Sequence, residues 1–321
     1  MATARARSGV EVWLRLVFPA AVPFLVGVLS VHVLPVPVVS LAATGTEFLT
    51  GDAADVVHTG GLLTYLSLVL FHLTVCAAAG LYYLWQMQSL PDRLRRRSMW
   101  LAAASLPLFM LVLGVAYVLL PTSAALSFSN VRQLLNLANQ HVDETLLLML
   151  TFVPIFGGLF AVACAAAKAS SVEAELAEPM ESKWRDAFAK RVQVLQRGFY
   201  VLSAVLVTST VTVSLFFHLP VELAVDDGVK QAINAYAGGL TVFWGTIFTL
   251  TLLATFAPSA LALVRIAQRH EGMVKSRAEF RGWLRDQIYI SAPKQLRTVA
   301  ALLAPLIVGP LGNLLEKAAG G

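Results

Sequence analysis

His72 and Cys76 stand four positions apart inside an apolar stretch, and Gly80 follows four further on, so a helix would carry all three on one face. An imidazole at that depth in a membrane is costly unless it is paired or faces a cavity, which makes His72 the first candidate for function. Four roles suit it: ligand to a haem or metal, proton relay, contact with a substrate, or a hydrogen bond from the neutral ring to a Ser or Thr of a neighbouring helix. The remaining histidines add a second pattern. His32, His58, His141 and His218 fall with His72 in the outer half or outer loops, and only His270 lies on the inner side. Facing helices hold haem through paired histidines, and His32 with His218, each at an outer span end, offers such a pair. The same positions also suit histidines that simply tolerate the headgroup zone, and no CxxCH occurs.

A third group of residues is hydroxylated. Gly238, Thr241, Gly245 and Thr249 recur at three- and four-residue spacing, and Ser203, Thr210 and Ser214 form a looser row. Small residues let helix backbones approach closely in lipid, which supplies no hydrophobic force of its own between helices. The two rows are therefore a packing interface within or between chains or, around an oligomer axis, the hydroxyl lining of a narrow aqueous path.

The elements that must position these residues are transmembrane. The runs Gly198 to His218 and Tyr236 to Val264 contain no Asp, Glu, Lys or Arg. At about 1.5 Å per residue, roughly 20 such residues match the ~30 Å hydrocarbon slab. Further spans are predicted over Leu16–Leu34, Leu62–Met87, Trp100–Leu120 and Thr145–Ala167, giving six. Pro107 and Pro154 mark kinks in the third and fourth. Between them, Val131, Leu134, Leu135 and Leu137 recur at helical spacing and predict a short helix along the membrane surface. Trp184, Phe188, Val192 and Leu195 share one face, which predicts a helix that begins in water and runs straight on as the fifth span. Phe280, Trp283, Leu284 and Ile288 repeat that pattern after the sixth span, so the two faces are expected to bury each other in a small cytosolic layer. The last apolar stretch, Thr298 to Leu315, is broken by Pro305, Gly309, Pro310 and Gly312. It is expected to be interfacial, re-entrant or a cap on the cytosolic layer, with a seventh span as the alternative.

Charge orients this map. Of 24 Lys and Arg residues, all but Arg132 and Lys230 fall on one side, so the positive-inside rule puts both termini in the cytoplasm. The net charge of +5 thereby finds its partner in anionic lipid headgroups, and no nucleic acid is needed. Hydrophobic residues at 57%, charged residues at 13% and a mean hydropathy of +0.71 exclude an ordinary soluble domain. The two cysteines, Cys76 and Cys164, sit in apolar runs and read as small buried hydrophobes. No acidic or basic residue lies within a span, which argues against a transporter coupled through an intramembrane carboxylate and against a voltage sensor. No GxxxxGKS, HExxH or GxSxG motif occurs at a helix start or loop.

The fold class expected is an all-α, six-span bundle of the cytoplasmic (inner) membrane. It divides into a four-span half (1–168), a cytosolic linker with the extension of span five (169–197), the hairpin of spans five and six (198–265) and C-terminal helices (266–321). The leading expectation for function is non-enzymatic: an oligomerising pore, effector or structural subunit, homo-oligomeric through spans five and six, with no cofactor. Two alternatives stand beside it. One is a redox carrier holding haem through His72 and an outer His32 or His218; the other is an uncoupled small-molecule or lipid transporter with a pocket near His72.

Overall fold

The computed structural model describes residues 60–100, 102–104, 107, 155, 157–169, 171, 184–218, 227–271, 278, 282–283 and 298–307. The first span, most of the third, the surface helix and His32 lie outside them. Among the described residues the structure is helical throughout, apart from one turn, and contains no strand. Six helices are used below: α1 (Gly60–Gln88), α2 (92–100), α3 (Gly157–Ala169), α4 (Trp184–His218), α5 (Asp227–Glu271) and α6 (Thr298–Ile307).

Three stretches are long and apolar enough to cross a membrane: Thr64–Gln88, Trp184–His218 and Asn234–Gln268. The protein is thus an α-helical membrane protein. α1 stops where Pro91 supplies no amide proton to continue the ladder, and α2 restarts at once, with the Arg95 amide donating to the Pro91 carbonyl (2.8 Å). The run predicted as the fifth span and the amphipathic stretch before it form one uninterrupted helix, α4. α5 is likewise longer than its uncharged run, and Asp227 in its first turn complements the positive end of the helix dipole.

Side-chain pairs fix the directions of packing. Tyr65 meets Phe216, His72 meets Thr208 and Tyr83 meets Gly198, so α1 and α4 are antiparallel. Phe217 meets Tyr236 and Phe199 meets Phe256, so α4 and α5 are antiparallel as well. α3 runs alongside α1 in the same sense, with Gly157 against Cys76 and Phe160 over Gly80. Its two glycines let it settle between α1 and α4, since Gly158 also faces Ser209. The apolar core joins Cys76, Ala79, Tyr83, Cys164, Leu202, Val205, Leu252 and Phe256.

At the basic end of the bundle Trp283 meets the aromatic face at the start of α4. Trp283 lies 5.9 Å from the ring of Trp184 and 5.7 Å from that of Phe188, with the Arg185 guanidinium 5.6 Å over it. Leu263 and Ala267 of α5 close this cluster from below. Trp283→Ala removes two aromatic contacts and one cation–π contact, and should lower stability by about 2 kcal/mol in thermal unfolding in detergent.

α6 lies against α4 and α5 and runs parallel to α4. Thr298 is bonded to Tyr200, Ala301 to Ser203, and Pro305 packs on Gly245 near the middle of α5. Proline explains the placement. Pro305 has no N–H, so the carbonyl four residues back, that of Ala301, loses its intrahelical donor. In hydrocarbon that carbonyl needs another, and Ser203 Oγ–H donates to it at 2.5 Å.

Candidate functional site

The buried polar groups of the described bundle are the material for any site, and most can be followed to a partner. His72, 1% exposed, points from α1 at α4. The Thr208 hydroxyl donates to the Val205 carbonyl (2.9 Å), so its oxygen accepts from His72 Nδ1–H at 2.7 Å. That assigns the Nδ1–H tautomer and leaves Nε2 as the acceptor. Cys76 Sγ stands 3.4 Å from Nε2 and donates its S–H there. The imidazole is therefore engaged at both nitrogens, and Gly157 pressed on Cys76 leaves no room for a bulky group on that side.

His218 differs. Its Nδ1–H donates to the Ser214 carbonyl (2.7 Å), while Nε2 is buried with no partner. A backbone carbonyl that holds Nδ1–H and presents Nε2 is the disposition of ligating histidines. Among the described residues no group of three or more His, Cys, Asp or Glu side chains comes together to hold a metal.

In the hydroxyl rows Thr210 donates to the Leu206 carbonyl and Thr241 to that of Ala237, each on its own helix, and Thr212, Thr251 and Thr255 beside the rows do the same toward Thr208, Ile247 and Thr251. Such back-bonding spends the donor that a lining residue would offer to water or an ion. Gly238 and Thr241 are buried, and their neighbours Ala237 and Leu240 pack in a cluster with Phe216, Phe217 and Tyr65. Ser214 is half-buried. Gly245 carries the Pro305 carbonyl where a side chain would begin. Thr249, one turn further, is 8% exposed and its hydroxyl has no partner.

Most bonds that cross between helices come from outside the rows; Ser203 is the one row residue among those described here. Tyr83 O–H donates to the Gly198 carbonyl (2.5 Å). Ser259 Oγ–H donates to the Ala169 carbonyl (2.8 Å), an orphan acceptor of the last turn of α3. Neither pair is marked in the sequence by charge or spacing. Thr208 carries only the signal of being a hydroxyl in a span, and Pro305 the signal that Ala301 needs a donor.

At the basic end Lys168 is buried at the close of α3, past the predicted fourth span. Burial, reinforced by the nearby Arg191 charge, pulls its ammonium down from 10.5 to about 8. The unfolded chain holds this proton up to the ordinary lysine range, whereas the folded chain sheds it near 8. The unfolded state thus binds more protons between the two values, and stability should rise with pH across that window. Denaturant melts of Lys168→Met from pH 7 to pH 10 should lack this rise.

These features define a multi-helix membrane bundle sealed by polar side chains between helices. No family model, curated protein or solved structure matches the chain.

Proposed function

We propose that the protein is a non-enzymatic component of the cytoplasmic membrane, a structural subunit or effector that works by helix assembly in the bilayer with further copies of itself. The observation that supports this best is where the interior polar groups go: His72, Tyr83, Ser203 and Ser259 each join one helix to another. Polar groups spent as interhelical bonds hold a bundle together, and they do not line a route for solute. The lopsided Lys and Arg distribution supports a basic end in the cytoplasm, with Arg5, Arg7 and Arg15 on that side.

Cross-linking in native membranes followed by mass measurement tests the reading, with a ladder of chain multiples as the expected result. Liposomes carrying the protein should neither leak ions nor show saturable uptake. A monomer under all conditions, or flux that follows protein dose, sinks the proposal.

The bare Nε2 of His218 favours one further reading, a redox carrier. His72 does not fit the ligand role, since Thr208 and Cys76 occupy its ring, whereas His218 fits as one ligand of a haem. Purified protein would then show a Soret band that His218→Ala abolishes and Cys76→Ala leaves in place.

A further inference from the structure

α4 and α5 each carry, at the same level, a residue that weakens a helix. Pro258 lies inside α5, and its ring replaces the amide that would hold the Ala254 carbonyl, so the ladder opens there. Gly198 lies inside α4, where the absence of a Cβ leaves the backbone free to change its angles. The place of that missing Cβ is 3.5 Å from the ring of Phe256, two residues before Pro258, and Phe199 packs on the same ring with centroids 5.7 Å apart. A bend in one of two packed helices is blocked by a stiff neighbour, whereas two soft points in register can bend together.

The apolar core divides at that level. On one side Leu202, Val205, Leu252 and Phe256 belong to the large cluster of the bundle; on the other Trp184, Phe188, Leu263 and Ala267 close around Trp283. Leu195 touches both. Two hydroxyls hold the boundary. Tyr83 of α1 donates to the Gly198 carbonyl, and Ser259, the residue after Pro258, donates to the Ala169 carbonyl at the end of α3. We infer that Gly198 and Pro258 form a joint across α4 and α5, about which residues 184–197 and 259–271 swing as one arm, and that Tyr83 and Ser259 are its latches. The arm carries Arg185, Lys190, Arg191 and Arg265, so its swing moves basic charge relative to the bundle. The joint does not depend on the assembly reading above, since every part of it lies within one chain.

The test uses the full chain, one copy per lipid nanodisc, with distances between pairs of spin labels measured by pulsed electron resonance. Ala78→Cys with Gln268→Cys reports the arm against the bundle, and Gln193→Cys with Gln268→Cys reports within the arm. All three positions are exposed, and both native cysteines are buried and escape labelling. Tyr83→Phe with Ser259→Ala removes both latches at little change in volume, and should shift the ratio of docked to displaced arm roughly tenfold toward displaced, the effect of two interhelical hydrogen bonds. The distance within the arm should stay as it was. Adding Gly198→Ala and Pro258→Ala to that background should restore the docked distance. Alanine fits at 198, where its Cβ would meet Tyr83 at 3.4 Å and Phe256 at 3.5 Å, and at 258 it returns the missing amide. A docked distance that persists without the latches overturns the inference. So does a displaced population that survives both alanines, which would put the motion elsewhere, or one that spreads to the pair within the arm, which would be local unfolding.

Discussion

Gly245→Leu should lower the thermal midpoint in detergent by roughly 6–12 °C, the largest effect expected of any single substitution in the α4–α6 region. Gly245 has no Cβ where the Pro305 carbonyl and the Leu306 backbone lie, and backbone does not rotate away as a side-chain tip does. A leucine there must lift α6 off α5, which also separates Ser203 from the Ala301 carbonyl. The loss is then overpacking plus an unsatisfied carbonyl, about 3 kcal/mol or more. Gly239→Leu is the matched control, since nothing lies within 4 Å of its Cβ. It should change the midpoint little, and equal losses in the two variants would show that Gly245 matters as helix glycine rather than as a contact.

His72→Ala is the second. The substitution leaves a cavity between α1, α3 and α4 and strips Thr208 and Cys76 of their shared partner. Cavity and lost bond together should cost about 2–4 kcal/mol. Thr208→Val, which keeps the volume and removes only the acceptor, should cost about 1 kcal/mol. If His72 acted on a solute or cofactor instead, His72→Ala would change transport or colour while leaving the melt in place. The ratio of the two melts therefore separates a structural imidazole from a working one.

Much of the helical skeleton was legible because its physics is one-dimensional. An uncharged run of slab length and the Trp184/Phe188/Val192/Leu195 stripe each speak through composition and period alone, and α1, α4 and α5 followed them. The meeting of Trp184 with Trp283 followed from two amphipathic faces on one side of the membrane. What the sequence withheld was the occupant of each face. Gly245 in a small-residue stripe signals close approach, yet nothing in its spacing says whether the visitor is a second copy, a pore axis or residue 305 of the same chain. The hydroxyl rows are ambiguous in the same way, because a threonine that bonds its own helix and one that lines a path share a sequence pattern and differ only in rotamer. Pro305 held the decisive signal. Read as a break in a doubtful span, it was better read as a demand for a donor beside Ala301.

That demand bears on how the protein is made. An α6 left alone in lipid would carry one bare carbonyl, and no rotation of its own chain can cover it. Its lodging exists only once α4 and α5 stand side by side, and both are synthesised before it. Translation order thus delivers the guest after the host, and a chain with Ser203 altered should linger at the insertion machinery with its tail unburied, within reach of membrane proteases.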